Sequence, residues 1–423
     1  MISRFFLFFL FVFLLSPALL MDKFSIFYLP QPEFIRYKLW LASINFFDFI
    51  IVVLFLTLLV LKPVKTLTII VRLEVVVVVV ATILGIFFGV LNDVDFSIYF
   101  DGVIYTFRFV LVYIVGAYLI RDNEYFVREC EFVFILSAVI LVSGSLLAWF
   151  LGYQGIMGGR INALGMGPHV TAIFYIFVMF IVFSKLKRTR LDEAQISKVK
   201  IAFYYLFLAV LSFGILLTGS RRALLYLVFT YLFLYFYVVK SVSLKLMVML
   251  FFLCFLVIVS LYIKDILFFL SQNGISIAGR VLEMLDGNES VGEDGRFGMW
   301  WQVSKLFEQY PYGVGLSDWF IQKTMGKYGW DSHTHNLLLQ FYFKYGVSSI
   351  LFSYFLVSIV VGLKKRIIYS IPLSLMFVDS MGGYIFWNQK AIYIVCLFFV
   401  FLFYFNRRDV FNENCTSMAY AKF

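Results

Sequence analysis

Charge is scarce in this chain. Of its 423 residues only 14% are Asp, Glu, Lys or Arg, against 63% hydrophobic. So few charges cannot cover a globular surface, which excludes an ordinary soluble domain. Histidine is scarcer still, with three, and the four cysteines (Cys130, Cys254, Cys396 and Cys415) form no CxxC pair. Such spacing argues against both a metal cluster and a disulfide framework. No GKS or GKT follows any glycine-rich stretch, so there is no P-loop. No convincing repeat relates the two halves, which removes the usual signature of a rocking transporter.

What is abundant is apolar and aromatic, with 54 Phe and 27 Tyr. Repeated apolar stretches of about 20 residues with few internal charges read as transmembrane helices. The fold class expected is all-α, a polytopic transmembrane bundle of about twelve spans with one large external loop containing short interfacial helices. The spans fall near 4–21, 39–61, 73–91, 102–120, 132–151, 169–186, 201–217, 222–239, 245–263, 335–361, 367–383 and 390–405. The chain then divides into 1–263 (spans one to nine), 264–334 (the large loop), 335–405 (spans ten to twelve) and 406–423, a cytoplasmic tail. Residues 1–18 also resemble a signal peptide, but the site is poor for cleavage and a retained first helix is expected.

Orientation follows from where the basic residues fall. With the N-terminus inside, cytoplasmic segments hold 20 of the 35 Lys and Arg, including Lys185-Leu186-Lys187-Arg188 and Lys364-Lys365-Arg366. The short external loops hold seven, among them Arg160, Arg221 and Arg222. Both termini are therefore expected in the cytoplasm. The net charge of +10 reflects this asymmetry and attraction to anionic lipid, and nucleic acid is not an expected partner. The large loop faces outward, to the periplasm in a Gram-negative envelope. Nucleotide sugars and ATP are absent there, so chemistry on that face needs a substrate already activated and carried by lipid.

Three external segments carry residues able to do such chemistry. Thr218-Gly219-Ser220-Arg221-Arg222 is the whole connection between spans seven and eight. Glycine permits the sharp turn, and Thr218 or Ser220 can cap the next helix. Guanidinium pairs bidentately with phosphate oxygens, and a helix start adds its positive end. The alternative is that Arg221 and Arg222 snorkel to lipid headgroups as anchors, and this alternative weighs more for Arg222. A glycine-rich connection, 158–169, contains Arg160 as a further anion contact and ends at His169; flexible linkage is its equal alternative.

The large loop contains Gly279-Arg280 and Gly295-Arg296-Phe297-Gly298-Met299-Trp300-Trp301. From Arg296 to Gln309 apolar residues recur near helical spacing, as in an interfacial amphipathic helix, before Tyr310-Pro311-Tyr312-Gly313-Val314-Gly315 breaks it. Arg296 leads that helix and can reach a pocket above the bundle. Arg280 and Arg296 are otherwise solvated loop residues. His333-Thr334-His335-Asn336 opens span ten. The imidazole of His335 can take a proton from a sugar hydroxyl or hold it by a hydrogen bond, with Asn336 beside it; helix capping is the plainer role. No third ligand accompanies the two histidines, so neither zinc nor any other metal or cofactor is expected. Asp48, Arg108 and Asp379 lie within spans and are expected to be paired or to face the bundle interior.

TGSR after one span, a large external loop with GR-x-x-x-W and P-x-G-x-G, then HN-x-x-L at the next span resembles the O-antigen ligase/polymerase superfamily. These are bacterial integral-membrane enzymes acting on undecaprenyl-diphosphate-linked glycans. The resemblance covers 155–361 as motifs and the twelve-span layout as architecture. It implies that Arg221 and Arg296 bind the diphosphate of the lipid carrier and that His335 orients or activates the acceptor hydroxyl. It also implies inner-membrane location, a lipid-linked glycan as substrate and, depending on the reaction, a lipid A core acceptor or a chain-length regulator as partner. The chain departs from the pattern at Arg222, where the family often has a small residue, which leaves open which arginine faces substrate.

Within that superfamily a polymerase extends a chain on its lipid carrier, whereas a ligase passes the finished glycan to lipid A core. The aromatic-rich, alanine-poor composition suggests an AT-rich gene, as in surface-polysaccharide loci, and so inclines toward the polymerase. A transporter or flippase is the rival from another class. It needs paired charges near the bilayer centre or broken helices, whereas the charges here gather at the external lip.

Overall fold

The computed structural model describes residues 2–20, 36–39, 42–92, 96–123, 125–151, 168–192, 198–238, 242–272, 310–313, 337–365, 367–381 and 392–403, with single positions at 278, 282, 308 and 315. Helices dominate these residues. In chain order they are α1 (Ile2–Leu20), α2 (Phe46–Leu61), α3 (Pro63–Ile70), α4 (Leu73–Leu91), α5 (Phe96–Asp122), α6 (Phe126–Phe150), α7 (Pro168–Asp192), α8 (Lys198–Leu217), α9 (Arg221–Val238) and α10 (Val242–Gln272). They continue with α11 (Leu337–Tyr345), a 3-10 segment η1 (Gly346–Phe352), α12 (Ser353–Lys365), α13 (Ile367–Met381) and α14 (Ile392–Phe403).

Every one of the twelve apolar segments contains a helix. Among the described residues four stretches are long and apolar enough to cross a membrane: Leu73–Leu91, Phe126–Leu147, His169–Leu186 and Leu338–Leu363. A fifth is possible if the bent pair α2 and α3 counts as one span. Two boundaries differ from the hydropathy pattern. Where the second span is expected to begin, β1 (Arg36–Leu39) and β2 (Ala42–Asn45) pair as an antiparallel ribbon, with Arg36 opposite Asn45 and Leu39 opposite Ala42. At the other end α10 runs past Lys264 to Gln272, so the first nine residues assigned to the large loop are helical.

The chain forms two compact units. The first comprises Met1–Phe13, Gln31–Cys130 and Val291–Phe423. Its α2 and α3 meet at a 120° bend because Lys62 precedes Pro63. A residue before proline is pushed out of the helical region, and Lys62 is accordingly non-helical at φ −141°. Buried Thr66 then bonds the carbonyls of Leu58 at 3.1 Å and Lys62 at 2.9 Å, fixing the corner.

Two buried charges of this unit pair with each other, as expected for Asp48 and Arg108. Arg108 donates from Nε and Nη2 to the two carboxylate oxygens of Asp48, each at 2.7 Å, and the Tyr393 hydroxyl donates to the same carboxylate. A bidentate pair inside the bundle is tolerable because each partner neutralises the other. The ring of Tyr393 packs in turn with those of Phe13 and Phe47, the three at mutual centroid distances of 4.7–5.0 Å. Asp379 is also buried, on α13.

The second unit comprises Leu14–Pro30 and Glu131–Ser290. Its axis is α7, buried along nearly its whole apolar length from Val170 to Leu186. A helix apolar on all sides belongs at the centre of a bundle, and α6, α8 and α9 supply its neighbours. Gly214 allows the close approach of α8: a Cβ there would lie 3.0 Å from Val142 and 3.2 Å from the Tyr175 ring. At the far end of α7, Lys185 pairs with buried Glu131 of α6 at 3.3 Å.

Candidate functional site

The arginine turn is built from residues that each perform one backbone task. Thr218 turns its hydroxyl back to the carbonyl of Ile215 at 2.7 Å, ending α8. Gly219 then adopts φ 62°, in the left-handed region that glycine enters without steric cost. Its N–H bonds the carbonyl of Leu216 at 3.1 Å. Ser220 opens α9: its side-chain oxygen accepts the N–H of Ala223 at 3.2 Å, three residues on, while its carbonyl accepts the N–H of Leu224 at 3.1 Å. This is N-capping geometry. Ser220, not Thr218, is therefore the cap, and Arg221 and Arg222 are the first two residues of α9.

A second helix start meets this one. His169 lies in the first turn of α7, immediately after Pro168, and its Nδ1 sits 2.6 Å from the Ser220 hydroxyl oxygen. Both Thr218 and Ser220 are fully buried, whereas His169 and Arg222 are half-buried. The α7 and α9 starts thus share one end of the second unit, which brings two positive helix ends together where the arginine turn begins. The sequence offered His169 only as the end of a glycine-rich connection. Alternating direction through α7, α8 and α9 is the signal that places residues 169 and 220 at one level.

In the first unit, the part of the large loop that is described docks on the helix following His335 and Asn336. The carbonyl of Gly313 accepts the Asn92 amide at 2.5 Å, and Tyr312 stacks on Phe88 at 5.9 Å. The Tyr342 hydroxyl donates to the carbonyl of Pro311. Gly313 (φ 85°) lies so close that a Cβ would come within 2.8 Å of the carbonyls of Tyr342 and Phe343. At Gly346 (φ 57°), where α11 gives way to η1, a Cβ would overlap the Tyr312 carbonyl. The helix that begins at Leu337 is therefore fastened to the loop through backbone.

Below this contact a cavity of about 80 Å³ is lined by Thr106, Phe341, Lys344, Tyr345, Phe355 and Phe399, among others. That is room for a few waters, not for a glycan. Lys344, the basic residue placed within span ten, is buried there.

Of the seven site residues proposed from sequence, Arg222 is described with its side chain and Arg221 by its backbone. Arg160, Arg280, Arg296, His335 and Asn336 lie outside the described residues. Among the described residues no group of three or more His, Cys, Asp or Glu is placed to hold a metal ion. The two cysteines whose side chains are described, Cys130 and Cys396, are buried thiols.

Comparison with known proteins gives one match. No curated protein and no solved structure matches the chain. The family model described as O-antigen ligase matches residues 206–354, about a third of the chain, from α8 through the arginine turn and the large loop to α12. The matched segment contains TGSRR, GR-x-x-x-W, P-x-G-x-G and HN-x-x-L together. Its apolar helices of membrane-crossing length mark a membrane protein, and residues 206–354 of it are similar to the O-antigen ligase family.

Proposed function

We propose that this protein is a glycosyltransferase that polymerises a surface polysaccharide from undecaprenyl-diphosphate-linked repeat units on the external face of the bacterial inner membrane. The observation that carries the proposal is the arginine turn: two guanidinium residues opening a capped helix, inside the segment that matches the O-antigen ligase family. A leaving diphosphate gains negative charge as its bond to the anomeric carbon breaks. Fixed cationic donors stabilise that charge most when they need not reorganise.

In this reading Arg221 and Arg296 take the diphosphate, with Arg222, Arg280 and Arg160 as further anion contacts. His335 accepts the proton of the acceptor hydroxyl, and Asn336 helps hold that sugar. The acceptor oxygen bonds to the anomeric carbon, the carbon–oxygen bond to phosphate breaks, and undecaprenyl diphosphate leaves with the bonding electrons. The arginines meet the charge without a metal. The topology that goes with it has twelve spans, both ends of the chain on the cytoplasmic side and the 264–334 loop over the site.

A second reading, transfer of the finished glycan to lipid A core, is favoured by the ligase description of the matching family. Purified protein in liposomes separates the two. A ladder of products from the undecaprenyl-diphosphate repeat unit alone identifies a polymerase. Product only after lipid A core is added identifies a ligase. No product with either overturns both and returns the transporter.

A further inference from the structure

Ser220 makes one more bond than capping requires. A cap needs only a lone pair on the side-chain oxygen, and the N–H of Ala223 takes it at 3.2 Å. The hydroxyl proton remains. Ser220 is fully buried, so that proton needs a protein acceptor, and among the described residues the Nδ1 of His169 supplies it at 2.6 Å. With Ser220 donating, Nδ1 carries no proton and a neutral ring holds its own on Nε2, a tautomer assigned from the bonding pattern. The bond joins helix starts 51 residues apart in sequence. It ties the first turn of α7 to the cap on which Arg221 and Arg222 follow.

We infer that His169 is a positioning residue for glycosyl transfer: through Ser220 it holds the start of α9, and so the backbone carrying Arg221 and Arg222, in the one placement that meets the leaving diphosphate. This rests on the proposed role of the arginine turn. His169 acts through another residue and is given no contact with substrate. Its importance follows from how steeply charge stabilisation depends on placement, since a displacement of about 1 Å can cost on the order of 100-fold in rate. Within the turn, the other bonds described above run to α8 or along α9 itself. Thr218 bonds backward to α8, whereas the Ser220–His169 bond reaches across to α7.

The experiment compares His169→Ala, His169→Asn and His169→Gln in the full-length protein. In asparagine Oδ1 is two bonds from Cβ, as Nδ1 is in histidine, and it accepts the Ser220 proton from nearly the same point. In glutamine the amide lies one bond further out. Binding of undecaprenyl diphosphate and turnover of the lipid-linked repeat unit, with and without lipid A core, are measured beside thermal unfolding. The expected result is about a tenfold or greater loss of binding and turnover in His169→Ala and His169→Gln, with substantial recovery in His169→Asn. Ser220→Ala added to His169→Ala costs little more than Ser220→Ala alone, because the serine change by itself already removes the bond to His169 together with the cap.

Wild-type binding and turnover in His169→Ala overturn the inference. So does equal loss in the asparagine and glutamine variants, or loss that merely tracks thermal stability. Arg221→Ala, run alongside, separates the two levels. If it binds undecaprenyl diphosphate normally, the proposed arginine turn fails and the His169 role falls with it. If it loses binding while His169→Ala does not, only the positioning role falls.

Discussion

Two of the left-handed glycines among the described residues stand at breaks in apolar helices, and they are secured in different ways. Gly219, at φ 62°, lies between α8 and α9 in the second unit, and side chains reinforce its backbone bonds: Thr218 to Ile215, Ser220 to Ala223 and His169. Gly346, at φ 57°, lies between α11 and η1 in the first unit, and backbone closes it, with the Tyr312 carbonyl where a side chain would be. Side-chain bonds can be altered one at a time, so the first turn is tunable. A backbone contact can only be kept or lost. The arginines sit on the tunable turn, while the helix that follows His335 and Asn336 is pinned.

The largest effect expected is on the buried ion pair of the first unit. Asp48→Ala strands the Arg108 guanidinium inside the bundle and should cost about 3–5 kcal/mol, as breaking a buried pair does. Thermal unfolding in detergent checks it; an unchanged midpoint would show that the pair is dispensable. Gly346→Ala comes next. It adds overlap with the Tyr312 carbonyl to a disfavoured φ, and the sum of overpacking and backbone strain is about 2–4 kcal/mol. A mild effect here would mean that the Tyr312 contact gives way readily, and the contrast between the two glycines would collapse.

Much of this arrangement was legible beforehand, for physical reasons. Burial in a bilayer demands apolar runs, so hydropathy alone set helices in all twelve segments. TGSRR announced a glycine turn with a cap because both follow from local backbone chemistry. The corner at Lys62 was less visible: α3, a short helix that exposes Val64, Lys65 and Leu67, lay in what hydropathy treats as a loop. The break at Gly346 was hidden because the residues around it are apolar enough to read as one continuous span. His169 escaped for a different reason. Its inferred role lies in a contact with Ser220, and no local pattern encodes which residue a half-buried imidazole will meet.

Gly219→Ala tests the tunable turn at its hinge. The strain of a side chain at positive φ is about 1–2 kcal/mol, and the turn has side-chain bonds that can adjust around it. The protein should fold, with a lowered unfolding midpoint and a larger loss of turnover than of stability, because the arginine backbone moves. Turnover that falls only in proportion to folded protein would show that the turn tolerates displacement, against its proposed role.

The smallest effect expected is from Tyr342→Phe, which removes the hydroxyl bonded to the Pro311 carbonyl. A single hydrogen bond of this kind contributes about 0.5–1.5 kcal/mol net, and the lower end applies where solvent can replace it. The turn at residues 310–313 also keeps the Asn92 amide on Gly313 and the stack of Tyr312 on Phe88. Its docking should therefore survive, with an unfolding midpoint lowered far less than in Gly346→Ala. If the two variants instead lose equal stability, the hydroxyl and not the backbone contact fastens the loop to α11. The pinned turn would then be held by side chains after all, as the arginine turn is.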